Sequence, residues 1–164
     1  MKRSIQLRPR SQNRTMRAGE TSALKGVAIP SLRPEHLMRP ESRDWEPLKR
    51  LYDELQRTGT IPGSPDQLDL VRRVARQVAI PDEVVERELH LAQGLSNLIT
   101  EERKRIREGS RRLMQAMSEA ERRVAIGDRA GARQVFQDAL SREVVPFYRE
   151  IAEEEARALE EPHT

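Results

Sequence analysis

The chain has 164 residues, about one domain by ordinary size scaling, so two independent cores joined by a linker would not fit. Its lack of cysteine and its 3 histidines exclude disulfides, thiolate metal sites and cysteine nucleophiles, and leave little imidazole for zinc or acid–base work. Mean hydropathy is -0.79, no run approaches the ~18 apolar residues of a membrane span, and no apolar leader follows the N-terminal charges. The expectation is a cytoplasmic protein without membrane contact.

Charge divides the chain. Residues 1–43 carry ten Lys/Arg against Glu20, Glu35 and Glu41, a net of +7, whereas the remainder carries 20 basic and 24 acidic residues. The pI of 9.7 therefore hides a basic arm on a mildly acidic body. Leu, Ile, Val and Phe supply 7 of the first 43 residues but 29 of the following 121, on either side of the roughly 20% that a packed core needs. All five aromatic residues lie beyond residue 43, and four of the ten prolines lie before it. The arm reads as flexible, ordering on a partner, with Ile29, Leu32, Leu37 and Met38 as apolar anchors and Arg33 and Arg39 at their rim. Of the 30 basic residues 26 are Arg, in the body as well as in the arm, so codon usage explains the ratio before phosphate chemistry does.

From residue 44 to 160 the apolar spacing predicts helices only. Asp44 is placed to cap a helix over 44–58 that buries Trp45, Leu48, Leu51, Tyr52 and Leu55. Ser64-Pro65-Asp66-Gln67 supplies a cap, a first-turn proline and a capping-box glutamine for 65–79, with Leu68, Val71, Val74, Ala75 and Val78 inward. Pro81 separates that helix from one over 82–94, with Val84, Val85, Leu89 and Ala92 inward and Gly94 at its end. Ser96 then caps a long helix, 97–126, on which Ile99, Ile106, Leu113 and Ala120 recur every seven residues. Gly127 and Asp128 turn it tightly into 129–144, which buries Ala132, Val135, Phe136, Ala139 and Leu140. Pro146 breaks the pattern before a last helix at 146–160. The expected architecture is all-α, a helical bundle around a long helix hairpin with an extended basic N-terminal arm.

Few residues carry chemistry. Arg103, Lys104, Arg105, Arg107, Arg111 and Arg112 form the one basic run of the body, but Glu101 stands four before Arg105 and Glu108 four before Arg112, the pattern of a solvated, ion-paired helix face. No aromatic interleaves the run to stack on bases. Glu86 and His90 share a helix face, yet two ligands do not make a metal site. The terminal acids Glu153, Glu154, Glu155, Glu160 and Glu161 lack the Glu-x-x-His pairs of carboxylate-bridged metal bundles. Gly109 is different. It falls in the inward register of a long helix, where glycine costs about 1 kcal/mol against alanine, so either a crossing helix packs closely there or the helix bends. Gly-rich phosphate loops and Ser-His-Asp sets are absent from the sequence.

Four strings carry a family resemblance: Asp44-Trp45-Glu46-Pro47-Leu48; Val78-Ala79-Ile80-Pro81; Arg105-Ile106-Arg107-Glu108-Gly109-Ser110-Arg111-Arg112-Leu113; and Val144-Val145-Pro146-Phe147-Tyr148-Arg149-Glu150-Ile151-Ala152. Over about 44–155 the chain resembles the DUSAM domain, a family of myxobacterial paralogues of unknown function. The resemblance implies a soluble bacterial domain and no activity. The Gly127–Leu140 stretch is also similar to the turn of a tetratricopeptide hairpin, but no second copy follows at the 34-residue period of such repeats.

The functional expectation is therefore a non-catalytic protein-binding domain, adaptor or regulatory, with no catalytic, cofactor or metal residues, and with Gly109 as a close-packing position. The alternatives are nucleic-acid association through the phosphate-binding chemistry of the arm, and an enzyme whose site the sequence does not reveal.

Overall fold

A computed structural model describes residues 40–160, with side chains from residue 43 onward. Amphipathic spacing is realised there in six helices: α1 Pro40–Thr58, α2 Pro65–Gln77, α3 Asp82–Leu89, α4 Gly94–Ala125, α5 Arg129–Leu140 and α6 Pro146–Ala158. Among the described residues the fold is all-α, as the periodicity requires. At 32 residues, α4 is about 48 Å long, and it touches all five other helices. Its inward line, Ile99, Ile106, Leu113 and Ala120, lies in a core shared with Leu48 of α1, Val71 and Val74 of α2, Val85 of α3, Phe136 of α5 and Ile151 of α6.

The capping box of α2 is formed as its residues dictate: Gln67 N donates to Ser64 Oγ, and Ser64 N donates to the Gln67 carboxamide oxygen at 3.0 Å. Leu70 is buried on that helix, and Leu68 is half-buried. Asp128 accepts from Gly131 N at 2.8 Å to cap α5, after Gly127 turns the chain at φ 83°.

Other helix boundaries differ from the sequence expectation, each for a tertiary reason. α1 continues upstream to Pro40 and holds Pro47 inside it, so Asp44 is not its cap. The Asp44 carboxylate instead accepts from Arg73 at 3.1 and 3.3 Å and from Gln77 Nε2 at 3.0 Å, tying α1 to α2. α2 ends at Gln77, where Ala79 adopts a left-handed φ of 58° that a non-glycine residue holds only at a cost of about 1–2 kcal/mol. α3 stops at Leu89, leaving Ala92 exposed in the turn. α4 then begins at Gly94, behind Gln93 and without a side-chain cap from Ser96. Gly94 is buried against the α3 backbone, and a Cβ there would collide with the Glu88 carbonyl. α5 stops at Leu140 because Arg149 Nη1 donates to the Leu140 and Glu143 carbonyls at 2.8 and 2.9 Å, supplying from α6 the donors that a further helical turn would have used.

Candidate functional site

Six of the sequence-selected residues, Ile29, Leu32, Arg33, Leu37, Met38 and Arg39, lie outside the described residues. The seventh, Gly109, is buried midway along α4. The Tyr148 ring of α6 occupies the space a side chain would need: a Cβ at Gly109 would lie 2.7 Å from Tyr148 Cε2 and 3.1 Å from Glu143 Oε1. α4 runs unbroken through this point.

Gly109 is the floor of a polar junction. Glu143, buried in the α5–α6 loop, accepts at Oε1 from the amides of Val144 and Val145 at 3.0 and 2.8 Å, and at Oε2 from Arg112 Nε at 3.1 Å. Burial pushes the Tyr148 phenol up to about 12, opposed by a hydrogen bond with the Ser110 side chain. Phe147 and Tyr148 meet Trp45 of α1 with ring centroids 5.2 and 5.6 Å apart, an edge-on and a tilted contact of the favourable aromatic kind. Trp45 Nε1 donates to Gln77 Oε1 at 2.9 Å. The four strings that carry the family resemblance therefore converge on α4: Trp45 meets Phe147 and Tyr148, Tyr148 covers Gly109, and Arg105 donates to the Val78 and Ala79 carbonyls at 3.0 and 2.8 Å. Their shared role is packing and helix termination.

The basic run of α4 is sorted by this packing. Arg105 is committed to Glu101 and to the α2 carbonyls, and Arg112 is committed to Glu143 rather than to Glu108. The expected Glu108–Arg112 pair is not made, because the buried carboxylate of Glu143 competes for the same guanidinium. Arg103, Lys104, Arg107 and Arg111 form no ion pair among the described residues. Lys104, Arg107 and Arg111 lie opposite the buried line, are exposed, and continue into Met114, itself 52% exposed.

Glu102 is the site that sequence reading missed. It is 0% exposed, and neither carboxylate oxygen has a hydrogen-bond partner among the described residues. Desolvation pushes its pKa up to about 9, so at neutral pH it is a neutral acid. One residue on, Arg103 lies near Lys49 of α1, whose pKa is raised by its bond to Asp53 and lowered by Arg103. Three residues on, Arg105 reaches the end of α2. At 100° per residue Glu102 falls between those two directions, on the same buried side of α4 as Ile99 and Ile106. The available signal was the register: Glu102 stands three after Ile99, as Gly109 stands three after Ile106.

Among the described residues no group of three or more His, Asp or Glu side chains could hold a metal. Glu86, the candidate beside His90, is instead held by Arg72 at 2.8 and 3.2 Å, which lowers its pKa. No described helix is long and apolar enough to cross a membrane. A family profile described as Protein of unknown function (DUF2379) matches residues 43–159. No curated protein and no solved structure matches the chain. With the match extending from Arg43 before the Trp45 contact to Leu159 after α6, the chain belongs to the DUF2379 family, whose function is unknown.

Proposed function

We propose that this chain is a non-catalytic protein-binding domain, adaptor or regulatory in role and cytoplasmic, whose arm orders on the partner through Ile29, Leu32, Leu37 and Met38 with Arg33 and Arg39 at the rim. The observation that supports it is the outer face of α4, where three cations without ion pairs among the described residues lead into a half-exposed methionine, a mixed surface of the kind that protein partners cover. We also propose, from the resemblance over about 44–155, that the family is that of the bacterial DUSAM domains.

The second reading, nucleic-acid association, is favoured by the +7 of residues 1–43. Pulldown with the full chain and with a chain lacking residues 1–43, each with and without nuclease, separates the two. Under the protein reading Leu32→Ala with Leu37→Ala abolishes capture, while raising salt to about 300 mM only weakens it, since rim charges act on rate more than on affinity. Capture that survives the double substitution, disappears in moderate salt and is sensitive to nuclease transfers the conclusion to nucleic acid, whose binding falls steeply with salt through counterion release.

A further inference from the structure

We propose that the outer face of α4, built from Lys104, Arg107, Arg111 and Met114, docks an acidic α-helical segment of a partner protein; this rests on the protein-binding reading and names the partner's chemistry. The geometry is a single line. Positions 104, 107, 111 and 114 are separated by three, four and three residues, the spacing that stacks side chains along one helix face. Glu102, Ile106, Gly109 and Leu113, on the opposite side, are buried, so the face is presented by a helix whose rotation is locked by the core and by Tyr148. The backbone of the face is thus preordered, and only its side chains lose freedom when a partner settles on it.

Electrostatics identify the occupant. Like charges three and four residues apart on a helix repel one another, and the fold compensates little of this repulsion: Glu101 is committed to Arg105 and Glu143 to Arg112, and Glu108, the one acid inside the row, makes no ion pair among the described residues. Arg103 adds to the positive potential at the flank, beside Lys49. Carboxylates at matching helical spacing on a partner would neutralise Lys104, Arg107 and Arg111 together. Met114, with neutral Gln115 and Ser118 beyond it, calls for an apolar side chain at the end of that row. A phosphate backbone fits less well: Met114 at the end of the row has no phosphate partner, and no aromatic is present along it to stack on bases.

The test is fluorescence anisotropy on the full chain with a labelled synthetic helical peptide bearing glutamates at a first position and three and seven residues later, and a leucine ten residues later, the spacing of the row itself. We expect saturable binding that Arg107→Glu with Arg111→Glu weakens by on the order of ten-fold or more. A second peptide with lysines for the glutamates should bind the charge-reversed protein and not the original. Both substituted positions are exposed, so an unchanged thermal midpoint verifies that the variant folds. The proposal is overturned by absence of saturable binding, by equal binding of the glutamate peptide to both proteins, or by a DNA duplex of about 20 base pairs that binds and is lost on charge reversal while the peptide is ignored. A protein captured equally by the original and charge-reversed chains also overturns it, and does so with the protein-binding reading still standing.

Discussion

Tyr148 of α6 lies directly against Gly109 of α4, with ring carbon Cε2 2.7 Å from where a Cβ at residue 109 would stand. Alanine at that position is the better helix former by about 1 kcal/mol, but its methyl cannot enter without displacing the ring. Gly109→Ala is therefore expected to lower the denaturant midpoint, and Gly109→Leu to cost more than about 2 kcal/mol by overpacking. If both midpoints rise, helix propensity governs the site and the ring does not.

Glu102 predicts an unusual pH dependence. In the folded chain its carboxyl keeps its proton up to about pH 9, whereas the unfolded chain releases it in the ordinary carboxyl range near ~4.3. Its contribution to stability is therefore fully present below the unfolded pKa, falls by about 1.4 kcal/mol per pH unit above it, and is lost as pH rises through the folded value. Neutral Glu102→Gln should remove this slope, and Glu102→Leu should raise the urea midpoint at pH ~8, since an apolar side chain has no polar atoms to leave unsatisfied. The difference between the pH profiles of the original and Gln proteins isolates this group from the other carboxylates. Parallel profiles would mean that the carboxyl is solvated or paired.

Glu143 should behave in the opposite manner to Glu102, because its oxygens are fully used. Removing it in Glu143→Ala strands the amides of Val144 and Val145 and the Arg112 guanidinium, with an expected loss of about 2–4 kcal/mol. Glu143→Gln retains an oxygen for the two amides and should cost less. Hydrogen exchange supplies a local check: the Val144 and Val145 amides should exchange faster in the alanine protein than in the glutamine protein, and equal rates would remove the carboxylate from its assigned role.

Chelators, and stoichiometric zinc, iron or manganese, are expected to leave the thermal midpoint unchanged, because no ligand cluster exists among the described residues and Glu86 is already engaged by Arg72. Specific metal binding would register as a stability increase by mass action. A rise of several degrees would show a metal site and reopen the enzyme reading.

Helical class, the capping box at Ser64–Gln67, the Gly127–Asp128 turn and the long central helix were legible in the sequence, because each depends on residues one to four positions apart, within reach of one helical turn. The register of α4 also marked Gly109 as inward and made it the expected close-packing position, with a bend as the alternative; the ring that decides between them comes from a residue 39 positions later. The same limit hid the destinations of the polar side chains. Asp44 looked like a cap and binds Arg73 and Gln77 instead, Arg112 looked like a partner of Glu108 and binds Glu143, and Glu102, which belongs to no motif, is buried in the core. Short-range spacing determined which residues form helices and which face of α4 turns inward. Only the tertiary structure decided which charges are consumed inside the fold and which are left outward, because burial and competition among donors and acceptors depend on helices that approach in space and not in sequence.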